Sequence, residues 1–212
     1  MNAVDRRGLT PLHHATQHNT ISNIIRFLVT ECGANVNACD IDNRTPLHYA
    51  SAFSANVDII AFLVLEFDAS VNACDKGNCT PLHYAAQNNA YVASVSCFVT
   101  ECVVHVNARD EDNWTPLHYA ARYNTNVDII RCLVKNCGAN VNAVDNRGCT
   151  PLHYAAQFNA NANIIRYLVT ECGADVNALD ARGLAPFHSY ATRKNIQADI
   201  LCCLKPVLCA DK

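Results

Sequence analysis

The sequence predicts an all-α solenoid of paired antiparallel helices joined by β-hairpin-like turns, and three observations predict it. Thr-Pro-Leu-His begins at Thr10, Thr45, Thr80, Thr115 and Thr150, and a degraded copy, Ala185-Pro186-Phe187-His188, follows one step later. Val-Asn-Ala recurs in the same register at Val36, Val71, Val106, Val141 and Val176, so every step is 35 residues. Two positions ahead of each Thr-Pro or Ala-Pro, only Gly or Asn occurs: Gly8, Asn43, Asn78, Asn113, Gly148 and Gly183. A column restricted to those residues marks a backbone at positive φ. A fixed period of this size means a solenoid in which each unit packs only on its neighbours.

The unit 115–149 shows how each element arises. Thr115 can cap a helix, and Pro116 then takes the first helical position, where its missing N–H costs nothing. Leu117, Ala120 and Ala121 give this helix a small apolar face that lets helices stack closely. Asn124-Thr125-Asn126 breaks it. Val127 to Asn136 reads as a second helix, with Ile129, Ile130, Leu133 and Val134 at helical spacing. Gly138 ends that helix in the left-handed conformation. Val141-Asn142-Ala143 runs extended, and Asp145-Asn146-Arg147-Gly148 turns into the next Thr-Pro. Two short helices and a turn cannot bury both their faces alone, so the units must stack.

The motif Thr-Pro-Leu-His, followed by Ala-Ala and later by Gly-Ala-Asp/Asn-Val-Asn-Ala, resembles the ankyrin repeat family over nearly the whole chain. The expected units are 10–44, 45–79, 80–114, 115–149 and 150–184, preceded by the end of a partial repeat at 1–9 and followed by a degenerate repeat at 185–212. The usual ankyrin unit has about 33 residues. One extra residue is expected in the Asn-x-Asn loop between the helices, and the other at the end of the second helix. The third unit departs furthest: Ser94 replaces an Ile, and Val103 sits where Gly138 ends the equivalent helix. Valine is poorly suited to φ > 0, so the stack is expected to be loose or bent near 92–106; Asp68 poses a milder version of the same problem. The mid-repeat start and the apolar run Ile200-Leu201-Cys202-Cys203-Leu204 leave two readings: a segment of a longer protein, or an end that docks on something.

Composition excludes several function classes. A net charge of −3 with 17% charged residues gives no electrostatic footprint for nucleic acid. No run approaches the roughly 20 apolar residues of a membrane span, and the N-terminus lacks the apolar core of a signal peptide. An intracellular, by default cytoplasmic, address is expected. Asn43-Arg44-Thr45, Asn78-Cys79-Thr80 and Asn113-Trp114-Thr115 match the glycosylation acceptor, but the repeat generates that pattern automatically.

Several columns imitate chemistry. His13, His48, His83, His118, His153 and His188 invite a metal reading. Stacked helices lie about 8–10 Å apart, too far for two imidazoles to share a zinc at about 2.0–2.1 Å each. The resemblance implies instead a histidine bonded to the turn of its own repeat. Cys32, Cys102, Cys137 and Cys172 share one column and read as small buried thiols. Cys97 and Cys132 share the column of Phe27, Phe62 and Tyr167 and read as core, while Cys74 and Cys79 flank one turn. Asp5, Asp40, Asp75, Asp110, Asp145 and Asp180 are expected to bond their turns. No nucleophile elbow, phosphate loop or dinucleotide motif occurs, so no catalytic residue, metal or cofactor, and no small-molecule substrate, is expected.

The resemblance implies a non-catalytic scaffold that binds a partner protein on its concave side, formed by the turn tips and the exposed face of the first helices. The alternative is the targeting or regulatory segment of a larger enzyme or ubiquitin-ligase adaptor. Columns that vary within the chain are free to bind, and their most distinctive stretch centres on Trp114, the only tryptophan. Arg109, Glu111, Asp112, Trp114, Arg122, Tyr123, Arg147 and Phe158 are the expected partner-binding residues, since Trp, Tyr and Arg dominate binding hot spots. The competing reading of Trp114 is that it merely covers the turn of the next unit.

Overall fold

The computed structural model describes residues 3–18, 22–53, 56–88, 92, 95, 98, 104–191 and 204. In chain order the helices are α1 (Pro11–Gln17), α2 (Ser22–Thr30), α3 (Pro46–Phe53), α4 (Val57–Ala61), α5 (Pro81–Gln87), α6 (Pro116–Tyr123), α7 (Val127–Arg131), α8 (Pro151–Phe158), α9 (Ala162–Thr170) and α10 (Pro186–Ala191). Each of α1, α3, α5, α6, α8 and α10 starts on the proline of its repeat motif and packs on the next of the series. The preceding threonine is extended at its cap, as Thr10 is at φ −82° and ψ 165°. Leu12, Leu47, Leu82, Leu117 and Leu152, one per unit, are wholly buried. The isoleucine pairs Ile59–Ile60, Ile129–Ile130 and Ile164–Ile165 meet them from the second helices. Each such side chain contributes about 1.5–3 kcal/mol of hydrophobic stabilisation. Because every helix is short, nearly all of that burial is inter-helical.

The two places where the 35-residue unit is expected to carry its surplus residues have structural roles of their own. In the Asn-x-Asn loop, Asn124 and Asn159 are buried. Asn159 donates to the carbonyls of Ala121 and Asn124 in the preceding unit, both at 2.8 Å, and accepts the Asn161 amide at 2.8 Å. Asn124 repeats this with Ala86, Asn88 and Asn126. The second asparagine then caps the outer helix: Asn126 accepts from the Asp128 amide, and Asn161 from Asn163. At the other end, the expected plain helix over Val127–Asn136 stops at Arg131 and continues as a π-helical turn, Cys132–Asn136. Phe62–Glu66 does the same after α4. A π turn absorbs one inserted residue without breaking the helix. The amides of Cys32, Cys137 and Cys172 reach back five residues to Phe27, Cys132 and Tyr167.

All six Gly/Asn turn positions have positive φ, from 60° at Asn78 to 77° at Gly8. Gly138 does too, at 72°, and Asp68 adopts 57° despite its side chain. Ser94 and Val103, on which the reading of a weak third unit rests, lie outside the described residues, as do 201–203 and 205–212. Within each turn the aspartate carboxylate accepts two amides, as Asp145 does from Arg147 and Cys149, both at 2.8 Å. One bond then links each turn to the next: Lys76 N–H to Asp42 O at 2.8 Å, Glu111 to Gly77 at 2.9 Å, Asn146 to Asp112 at 3.1 Å and Ala181 to Arg147 at 2.8 Å. No β-strand occurs among the described residues.

Candidate functional site

The histidine column is the frame beneath the candidate site, and it bonds the turn of its own repeat as expected. Each Nδ1 accepts the amide of the threonine three residues earlier, at 2.9–3.1 Å from His13 to His153. That bond closes a capping box in which histidine does the work of the usual Glu. Each Nε2 also meets the carbonyl that closes the turn of its own unit: Arg44, Cys79, Trp114, Cys149 or Leu184, at 3.0–3.2 Å. Nδ1 accepts and Nε2–H donates, so these rings are neutral struts between each first helix and the turn that leads into the next unit. Burial holds all five below the ordinary histidine range, His118 at about 4.

A tyrosine column, to which the sequence reading gave no role, lies beside them. Tyr49, Tyr84 and Tyr119 donate to Asp40, Asp75 and Asp110 at 2.7, 2.6 and 2.8 Å, and Tyr154 donates to Asp145. Burial, then the aspartate bond, raises the Tyr49 and Tyr84 hydroxyls, Tyr49 to about 12. Burial acts to raise Asp40 as well, but the Tyr49 hydroxyl and the Arg44 and Asp42 amides outweigh it and hold that carboxyl below its usual range. The tyrosine that follows four of the five Thr-Pro-Leu-His motifs was the signal for this network.

On this frame the structure gathers four of the expected site residues. Trp114 is half-buried in the turn before α6. Its indole packs against Tyr154 at 4.3 Å and Tyr119 at 5.2 Å, and its Nε1–H donates to Asp145 at 3.1 Å. The indole therefore covers the next turn and also floors a cleft. Arg122, in the last turn of α6, lies over the rings of Phe158 (4.1 Å), Tyr123 (5.0 Å), Trp114 (5.4 Å) and Tyr154 (5.9 Å). Among the described residues no carboxylate pairs with it. Tyr123 and Phe158, at the ends of α6 and α8, are 43% exposed each, so the stack is open at its outer side. Arg147 and Asp112 line the adjoining cleft of about 240 Å³, and Arg147 and Phe158 a further one of about 430 Å³. Arg109 stands apart: its guanidinium donates to the carbonyls of Asn113 at 3.1 Å and Val144 at 2.7 Å, bracing two turns. Glu111 is exposed on its turn tip and lines neither cleft.

A second hollow of about 400 Å³, lined by Arg44, Tyr49, Phe53, Tyr84 and their neighbours, repeats this geometry two units earlier. Arg44 occupies the column of Trp114, and Phe53 that of Tyr123 and Phe158. Here, however, the cation is engaged, because Arg44 pairs with Asp40 and Asp42.

The cysteine expectations need correction. Cys32, Cys137 and Cys172 are half-buried rather than fully buried, because their column lies just past the end of the second helix; among the described cysteines only Cys132 is core. The Cys79 sulfur lies 3.4 Å from the Tyr119 hydroxyl, while Cys74 is exposed. Cys97 and Cys102 lie outside the described residues.

Short helix pairs in register, tied by one-per-unit polar ladders, define a helical-repeat solenoid. A family model described as "Ankyrin repeats (3 copies)" matches residues 1–75, 22–100, 54–145 and 82–180, and the chain belongs to the ankyrin repeat family. No curated protein matches the chain. Ankyrin repeats are protein–protein interaction modules, which sets the class of function. Among the described residues no helix is long and apolar enough to cross a membrane.

Proposed function

We propose that this chain is a non-catalytic scaffold that binds a partner protein on the concave side of units 80–114, 115–149 and 150–184. The contact is centred on Arg122, Tyr123 and Phe158, with Trp114 as its floor. Arg147 and Asp112 form the polar rim, and Arg109 and Glu111 the flanking turn tips. One observation carries this reading: Arg122 stands over four aromatic rings and, among the described residues, has no carboxylate to neutralise it. A cation held over ring faces gains about 0.5–2 kcal/mol, more as water is excluded, so a partner that covers the stack strengthens it. The polar side chains beneath serve the turns and caps, which supports a binding role over a catalytic one. Cysteines spread through the units suit a reducing compartment inside the cell.

Because Trp114 also anchors the Asp145 turn, the discriminating variant leaves it in place. Arg122→Glu with Phe158→Ala should abolish crosslinked partner capture while circular dichroism is unchanged. Arg131→Glu, on the outer helix, should capture normally. Equal capture by all three proteins would show that the site is elsewhere.

A further inference from the structure

The π turns that follow α4 and α7 change which side chains meet. Residues five apart on an α-helix point away from one another, but the five-residue backbone bond of a π turn brings them to one side. Phe62 and Phe67 show the result: their rings touch edge to face at 5.1 Å. In the unit 115–149 the same two columns hold Cys132 and Cys137, and the Cys137 amide bonds the Cys132 carbonyl at 3.1 Å. The Cys137 sulfur lies 2.8 Å from that same carbonyl oxygen and against the Cys132 thiol. Cys132 is buried and Cys137 half-buried, so one sulfur faces solvent and the other stands behind it. The unit 150–184 has Tyr167 and Cys172 in these columns, a thiol with no sulfur at its back.

We infer that Cys132 and Cys137 form a dithiol site that small-molecule disulfides convert reversibly to an intrachain disulfide. The Cys137 thiolate attacks one sulfur of oxidised glutathione, forming a Cys137–glutathione bond and releasing one glutathione thiolate. The Cys132 thiolate then attacks the Cys137 sulfur, forming the Cys132–Cys137 bond and releasing the second. The protein thiols lose two electrons, the glutathione disulfide gains them, and both thiol protons end on the two glutathiones. The outer sulfur is the entry point and the buried one resolves it. The contact with Cys132, followed by burial, raises the Cys137 thiol well above its usual range. Its thiolate fraction at neutral pH is therefore small, and exchange must quicken as pH rises.

The test uses the full chain, reduced, then held with oxidised glutathione at pH 7 and pH 9, alkylated and digested with trypsin. Arg131 and Lys135 bracket Cys132, so cleavage separates the two cysteines and a disulfide between them appears as two linked peptides. The expected product is that linked pair, about 2 Da lighter than the two reduced peptides together, formed faster at pH 9 and reversed by reduced glutathione. Cys172 in the same sample should stop at the mixed disulfide. In Cys132→Phe, which restores the aromatic found at Phe62, Cys137 should accumulate as the mixed disulfide. Persistent glutathione on Cys137 in the unsubstituted chain, alkylation of both thiols, or linkage of either to another cysteine would overturn the inference.

Discussion

Lowering the pH from 7.5 to 5 should weaken this solenoid sharply, through its histidines. In the fold the Nδ1 of His118 accepts the Thr115 amide at 3.0 Å and Nε2 faces the Cys149 carbonyl at 3.2 Å. A second proton would have to sit on Nδ1, pointing at an N–H. Burial adds to this, and the folded-state pKa falls from 6.5 to about 4. A depressed histidine pKa means that the unfolded chain takes up protons first. The stability is complete above pH 6.5 and is lost as pH falls toward 4. The full difference is about 3 kcal/mol for His118, of which about 2 kcal/mol is already gone at pH 5. His13, His48, His83 and His153 shift in the same direction for the same first cause, so the losses accumulate along the stack. Urea unfolding at pH 7.5, 6.5, 5.5 and 5 measures the slope. His118→Gln, which keeps an acceptor and a donor but cannot titrate, should shrink the difference between pH 7.5 and 5 by about 2 kcal/mol. A stability that is flat over that interval, or a His118 ring that titrates near 6.5 by NMR, would refute the strut assignment.

Further substitutions test the contacts between units. Gly148→Ala should cost more than Gly183→Ala. Both positions have positive φ, worth about 1–2 kcal/mol for an L-residue, but only at Gly148 would a Cβ meet backbone, 3.0 Å from the Ala181 nitrogen; equal midpoints in urea would contradict this. Asn159→Ala strands two carbonyls and an amide in a buried loop, so a loss of about 3 kcal/mol or more is expected. Asn159→Asp, which sets a carboxylate against those carbonyls, should lose more; denaturant titration of both variants decides it.

What the sequence made legible follows from what repetition can carry. Backbone demands appear as narrow columns: Gly or Asn at 43 and 148, proline at each helix start, a break at Asn124. Positions, turn signs and helix order could therefore be read directly. Partnership was less legible, because a column states that a residue is needed without stating what it touches. The histidine's bond to the turn of its own repeat is as expected, but its second bond, in which Nδ1 closes the helix cap, carried no separate signal. Tyr154 was passed over although it joins Asp145, Trp114 and Arg122 in one cluster. The candidate site shows the same limit. Variability marked Trp114, Arg122, Tyr123 and Phe158 as one stretch, and they meet in the structure: the last three from the ends of α6 and α8, and Trp114 from the turn before α6. It also gathered Arg109, whose column lies on the turn but whose guanidinium braces two carbonyls. Spacing alone could not foresee the π turn, because one inserted residue can be looped out, kinked or absorbed. Absorption keeps the outer helix in register with its neighbours, and in doing so it sets Cys137 against Cys132. A purely structural solution to a 35-residue period thus creates a reactive juxtaposition that no single repeat motif encodes.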